Sequence, residues 1–200
     1  MLKAHKYLSQ IETYKPGKAK ISGAANIKIA KLSSNENALG SSPLALAAYR
    51  DHADAVFCYA DGSCILLREA LAQLHKINAE KIVCGAGSDE IIALLTSAFA
   101  GVGDEIIYSK HGFLMYPISA KRVGADAVMV DENSLKTDVG AILKAITPKT
   151  KIIFIANPNN PTGSYLNKDD VAWLISSVPK NILIVLDHAY EEFAQGLAAD

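Results

Sequence analysis

From residue 65 onward, stretches with apolar positions at helical spacing alternate with short stretches that are apolar throughout. Over 65–75, Leu67, Ala70, Leu71 and Leu74 recur three and four residues apart, which predicts a helix. Over 88–100, Ile91, Ile92, Leu94, Leu95, Ala98 and Phe99 make a similar stripe. Ser88 is placed there as an N-cap, and Asp89 and Glu90 suit the positive end of the helix dipole. Further helices are predicted over 43–51, 115–123, 139–145 and 168–178, with a short one before Tyr14. Strands are predicted over 81–84, 105–108, 127–130, 151–156 and 182–186.

Ile152-Ile153-Phe154-Ile155 and Ile182-Leu183-Ile184-Val185-Leu186 have no polar face. That is the pattern of a parallel sheet covered on both sides. The alternation of strands with helices predicts an α/β fold, a three-layer αβα arrangement around a mainly parallel sheet. Residues 1–40 read as an N-terminal arm and loop, and 41–200 as one large domain. Ligands of such sheets bind beyond the carboxyl ends of the strands, so the residues just after each strand carry the chemical interest.

Composition narrows the function classes. The 200 residues are 50% hydrophobic with a formal charge of -1, which argues against a nucleic-acid or membrane-surface role. No apolar run approaches the roughly 20 residues of a membrane span, and no signal peptide is read, so a cytoplasmic protein is expected. Cys58, Cys64 and Cys84 are odd in number and lack metal-like spacing, and read as reduced thiols. The five histidines are scattered, so no metal site is expected.

Four strand ends stand out. Gly85-Ala86-Gly87-Ser88-Asp89-Glu90 lets backbone approach a ligand and offers helix N–H groups to a phosphate, or is only a tight strand-to-helix turn. It is not a dinucleotide fingerprint, because Glu90 stands at the third glycine, and it lacks the Gly-Lys-Ser/Thr of a P-loop. In His111-Gly112-Phe113-Leu114-Met115-Tyr116-Pro117 an aromatic ring follows a strand, suited to stacking on a flat cofactor or to the core. Asn157-Pro158-Asn159-Asn160-Pro161-Thr162-Gly163 specifies a turn more fully than a turn requires, and an amide held there suits a ligand oxygen. Asp187-His188-Ala189-Tyr190 ends an apolar strand in a carboxylate that needs a cation or donors, or that caps the following turn.

Taken together these segments resemble the fold-type-I pyridoxal-phosphate aminotransferases, whose large domain has this fold. The likeness also rests on Leu32-Ser33-Ser34-Asn35-Glu36-Asn37-Ala38-Leu39-Gly40, Tyr59-Ala60-Asp61-Gly62-Ser63 and Leu67-Arg68-Glu69-Ala70-Leu71. The Asn-Pro-Thr-Gly and Asp-x-Ala-Tyr segments resemble the broad family. The Asn-Glu-Asn loop and Gly-Ser-Asp-Glu resemble its histidinol-phosphate branch. The resemblance implies pyridoxal 5'-phosphate as cofactor, its phosphate on backbone amides of Gly87, Ser88 and Asp89. It implies Phe113 stacked on the pyridine ring, Asn160 and Tyr190 on the phenolic oxygen, and Asp187 on the ring nitrogen. It implies a homodimer in which Tyr59 reaches the partner subunit's cofactor phosphate. Tyr14, Asn35 and Asn37 would lie on the substrate side. The implied partners are a small-molecule amino donor and a 2-oxo acid, histidinol phosphate and 2-oxoglutarate/glutamate in this branch.

The chain departs from the family pattern at Ala38, where proline is usual, and at His188, where an acidic residue is usual. The family continues past its Asp-x-Ala-Tyr strand to a Ser-Lys segment carrying the Schiff-base lysine, then a phosphate-binding arginine and a small C-terminal domain. Here the chain stops at Asp200, and no earlier lysine has the required context. The expectation is an incomplete large domain, with little transaminase activity for these 200 residues alone. Related enzymes of the same cofactor, an aromatic aminotransferase or a phosphothreonine decarboxylase, share the ring-binding motifs. A catalytically incompetent fragment is the alternative from another class.

Overall fold

The computed structural model describes residues 5–12, 34–37 and 39–194. Two compact units divide the chain, one formed by Met1–Glu12 with Cys84–Asp200, the other by Thr13–Val83.

The larger unit holds four strands, β1 (Glu105–Ser109), β2 (Asp126–Val130), β3 (Thr150–Ala156) and β4 (Leu183–Asp187). All pair in parallel, in the order β2-β1-β3-β4. Its helices, following the smaller unit's α1 (Pro43–Asp51) and α2 (Ile65–His75), are α3 (Gly87–Phe99), α4 (Met115–Val123), α5 (Val139–Lys144) and α6 (Lys168–Ser177).

Side chains alternate across a strand, so an unbroken apolar strand fills two cores at once. Ile106, Ile152, Phe154 and Ala156 face one cluster with Ile92 of α3 and Tyr116 and Ala120 of α4. Ile107, Ile153 and Ile155 face the other with Val139 and Ile142 of α5 and Leu174 of α6. The sheet is thus the middle of three layers, as its apolar strands predict. Caps fix where two of the helices begin. Asp138 Oδ1 accepts from Ala141 N at 2.9 Å, and Asn167 Oδ1 accepts from Asp170 N at 2.8 Å. Gly124 ends α4 in the left-handed region, and a Cβ there would stand 2.7 Å from Val102 Cγ2, so both conformation and space require glycine.

The predicted elements agree closely with those observed, with two corrections. Residues 81–84 form no strand. Ala79–Lys81 is a single 3-10 turn, closed by Ile82 N donating to Ala79 O. The backbone at Ile82 is extended, but no ladder pairs it among the described residues, and an extended apolar segment becomes a strand only through a partner. Ser88 is not the N-cap of α3. The helix begins one residue earlier, and Ala86 occupies the cap position with no capping side chain of its own. Glu90 Oε2 instead accepts from Ala86 N at 2.6 Å. The short helix expected before Tyr14 is a 3-10 helix over Lys6–Gln10. Tyr14 itself lies outside the described residues.

In the smaller unit, Arg68 on α2 donates from Nε and Nη2 to Ala79 O at 3.1 and 2.8 Å, tying the helix to the turn that follows it. Asp61 accepts from Ser63 Oγ, Ile65 N and Ser63 N, and these bonds hold its carboxyl below the usual range. No described residue of this unit is buried, and Leu44, Tyr49, Phe57, Tyr59 and Leu66 are largely exposed. No helix among the described residues is long and apolar enough to cross a membrane.

The central strand gives the direct test of this packing. Ile153→Ala is expected to lower unfolding free energy by about 2–5 kcal/mol, read from the urea midpoint. An unchanged midpoint would contradict the double-sided core.

Candidate active site

The strand order places a reversal between β1 and β3. From the end of β1 the chain turns into α4 on one face of the sheet; from the end of β3 it turns into α6 on the other. Loops that part in this way open a crevice at the carboxyl edge. A cavity of about 280 Å³ lies there, small for a ligand site but sufficient for one substituted ring. It is lined by Phe113 after β1, by Ala156, Pro158 and Asn160 at the end of β3, and by Asp187, Ala189 and Tyr190 at the end of β4. Ala86, Gly87, Ser88 and Asp89, at the start of α3, complete it. Gly87, Ser88, Asp89, Phe113, Asn160, Asp187 and Tyr190 are therefore brought together, although they come from four separate segments.

Gly87 has φ +76°, where a side chain is strained, and its N–H closes a turn onto Gly85 O at 2.8 Å. Ser88 and Asp89 follow within the first turn of the helix, whose N–H groups have no partner inside it. Asp89 shares this end, and its charge has the sign of a phosphate, so the backbone is the group that fits an anion here.

Asp187 is gripped on both oxygens. Oδ2 accepts from the Tyr116 hydroxyl at 2.9 Å, and Oδ1 accepts from Ala189 N at 3.2 Å. The second bond is the local turn-capping alternative, and it coexists with exposure of Asp187 to the cavity. Tyr116 lies on α4, 1% exposed, with its ring stacked on Phe154 at 4.7 Å and edge-on to Phe113 at 5.8 Å. Burial, and then the charge of Asp187, push its phenol far above the ordinary range, so it remains a donor. In the sequence Tyr116 stands within the segment after β1 with nothing to assign it a role. Its position three residues after Phe113, at the start of a helix, was the available signal.

The loop after β3 is held from inside. Asn157 Oδ1 accepts from Leu166 N at 2.7 Å while its Nδ2 donates to Leu166 O at 3.1 Å. Asn159 Nδ2 donates to His111 O at 3.1 Å and to Thr162 Oγ1 at 2.8 Å. The peptide bonds Asn157–Pro158 and Asn160–Pro161 are cis. Of the three asparagines, two are spent on the loop's shape, and Asn160 is the one that lines the cavity. His111 is itself anchored, its N–H and Nδ1 meeting the buried carboxylate of Glu132 at 3.0 and 2.8 Å.

The remaining sequence-predicted residues belong to the smaller unit. Tyr59 is fully exposed. Asn37 organises its own loop, with Oδ1 accepting from Leu39 N at 3.0 Å and Nδ2 donating to Gly40 O at 3.1 Å. Asn35 is likewise exposed. Among the described residues no lysine lines the cavity, and no cluster of His, Cys, Asp and Glu could hold a metal ion.

The tie between the two loops is testable. Asn159→Ala is expected to raise amide hydrogen exchange at Gly112 and Gly163 by roughly 5-fold or more, because the side chain bridges the loops that carry Phe113 and Asn160. Unchanged exchange at both amides would show that the loops hold their shape without it.

Comparison with known proteins follows the same lines. The chain is 46% identical over 192 residues to the histidinol-phosphate aminotransferase of Ruegeria sp. (strain TM1040), covering 96% of this chain and 52% of that protein. It is 48% identical over 186 residues to the histidinol-phosphate aminotransferase of Paramagnetospirillum magneticum (strain ATCC 700264 / AMB-1), covering 93% and 51%. The chain thus spans about half the length of the curated relatives it matches. Its fold is similar to the crystal structure of histidinol-phosphate aminotransferase from Sinorhizobium meliloti in complex with pyridoxal-5'-phosphate. The TM-score is 0.77 at 28% identity, covering 80% of this chain and 44% of that one. Residues 27–200 match the family described as aminotransferase class I and II, and the chain belongs to that family.

Proposed function

We propose that this chain forms the cofactor-binding part of a pyridoxal-phosphate-dependent transaminase acting between histidinol phosphate and 2-oxoglutarate/glutamate. One observation carries the reading: a carboxylate, an aromatic ring, an amide, a phenol and a helix N-terminus converge on one cavity at the carboxyl edge of the sheet. These groups match the cofactor's parts in kind. The Asp187 carboxylate suits a protonated pyridine nitrogen, the Phe113 ring suits the face of a flat heterocycle, and the α3 amides suit a phosphate. The relatives' names support the substrate pair.

When bound, pyridoxal phosphate supplies a carbonyl that captures an amine and a ring that draws electrons from the substrate carbon. Asp187 keeps a negative charge beside the ring nitrogen and so favours its protonated form. Asn160 and Tyr190 would hydrogen-bond the phenolic oxygen. Ser88 and Asp89 would hold the phosphate through their amides, beside Gly87, and Phe113 would cover the ring. Proton transfer at the substrate carbon needs a base, and none of the lysines described here lines the cavity. We assign that base to a lysine outside the described residues. The same reading makes the protein a homodimer in which Tyr59, fully exposed on the smaller unit, reaches the cofactor phosphate of the partner subunit. Asn35, Asn37 and Tyr14 then serve the substrate side.

Assays of the full-length protein decide between substrates. Amino transfer from histidinol phosphate to 2-oxoglutarate is expected, and turnover only with aromatic amino acids would replace the substrate assignment. Asp187→Ala is expected to lower kcat/KM by roughly 30-fold or more, since the ring nitrogen loses the charge that favours its protonated form. Activity within about 2-fold of the parent would remove Asp187 from this role. For residues 1–200 alone, borohydride is expected to trap no cofactor adduct on a lysine; a trapped adduct would place the reactive lysine within them.

A further inference from the structure

We propose that Tyr116 is the positioning residue for Asp187, its buried hydroxyl fixing the carboxylate in the orientation that receives the ring nitrogen. The inference rests on the cofactor reading above and extends it to a residue that does not line the cavity.

Asp187 ends β4, the edge strand of the described sheet, and every residue of that strand is only half-buried. The aspartyl χ2 torsion is broad, so orientation has to come from hydrogen bonds. Ala189 N supplies one at 3.2 Å, within the same turn, and it moves whenever that turn moves. Tyr116 supplies the other at 2.9 Å from a different element. That element is rigid: the Tyr116 ring stacks within 3° of parallel on Phe154, a fully buried residue of the central strand β3. The hydroxyl thus ties the edge-strand carboxylate to the middle of the core. Beside an ionised carboxylate a phenol must donate, and burial together with the charge of Asp187 preserves that proton.

Tyr116 also meets Phe113 edge-on at 5.8 Å. One buried ring therefore sets both the residue proposed to stack on the cofactor and the residue proposed to bind its nitrogen. A plain core tyrosine, with its hydroxyl satisfied by the nearest acceptor, would act on stability alone. Tyr116→Phe separates the two roles, because it removes one oxygen and keeps the ring contacts with Phe154 and Phe113.

The test is equilibrium binding to the full chain freed of cofactor, which requires no turnover. Two probes are titrated: pyridoxamine 5'-phosphate, and its analogue with a carbon in place of the ring nitrogen. Tyr116→Phe is expected to weaken the first by roughly 10-fold and to change the second by less than about 2-fold. In an Asp187→Ala background the same substitution is expected to change neither. Equal weakening of both probes would show that Tyr116 only shapes the cavity, and no weakening of either would show that Ala189 suffices; both overturn the inference. A Tyr116→Phe effect that persists in the Asp187→Ala background overturns it as well. If the parent chain binds neither probe, the cofactor reading itself fails, and the inference with it.

Discussion

Strand β3 has no face to show to water. Ile152 and Phe154 are buried on one side, Ile153 and Ile155 on the other, and each set needs helices against it. The chain meets that demand by sending the segment after β1 to one face and the segment after β3 to the opposite one. The crevice at the carboxyl edge is the geometric consequence. Loops that leave in opposite directions cannot close over the strand ends between them. The cavity follows from how this sheet is covered.

What makes the crevice chemically specific is the placement of one carboxylate. Asp187 stands where the apolar run of β4 ends, paired in register with Ala156 at the end of β3. Its backbone carbonyl accepts from Asn157 N at 2.9 Å, which joins it to the loop that carries Asn160. Its side chain joins it to α4 through Tyr116. Three strand ends are thereby locked to one another: β1 through His111 and Asn159, β3 through Asn157, and β4 through Asp187. A site pre-organised in this way loses little freedom when a ligand arrives.

Much of this was legible in the residues alone. The spacing of apolar positions located α2, the expected bounds of α1 and α4 agree with those observed, and the unpatterned strands announced a sheet covered on both sides. The segments after the strands named residues that do converge on the cavity. Three features were not legible. Residues 81–84 carry strand-like chemistry, yet pairing is a property of a neighbour and not of the segment. The division of labour among Asn157, Asn159 and Asn160 depends on which amide turns inward, and three like residues in one loop do not differ in pattern. Tyr116 looks like an ordinary core aromatic on a helix, and only the tertiary fold brings its hydroxyl across 71 positions to Asp187.

The central claim is that Asp187 faces a protonated pyridine nitrogen, and that nitrogen can be observed directly. Pyridoxal phosphate labelled with 15N in its ring, bound to the full-length protein, reports its protonation state through the nitrogen chemical shift. The account predicts the shift of a protonated ring, hydrogen-bonded to a carboxylate, in the parent protein, and movement toward the unprotonated value in Asp187→Ala. An unprotonated nitrogen in the parent, or the same shift in both proteins, would contradict it.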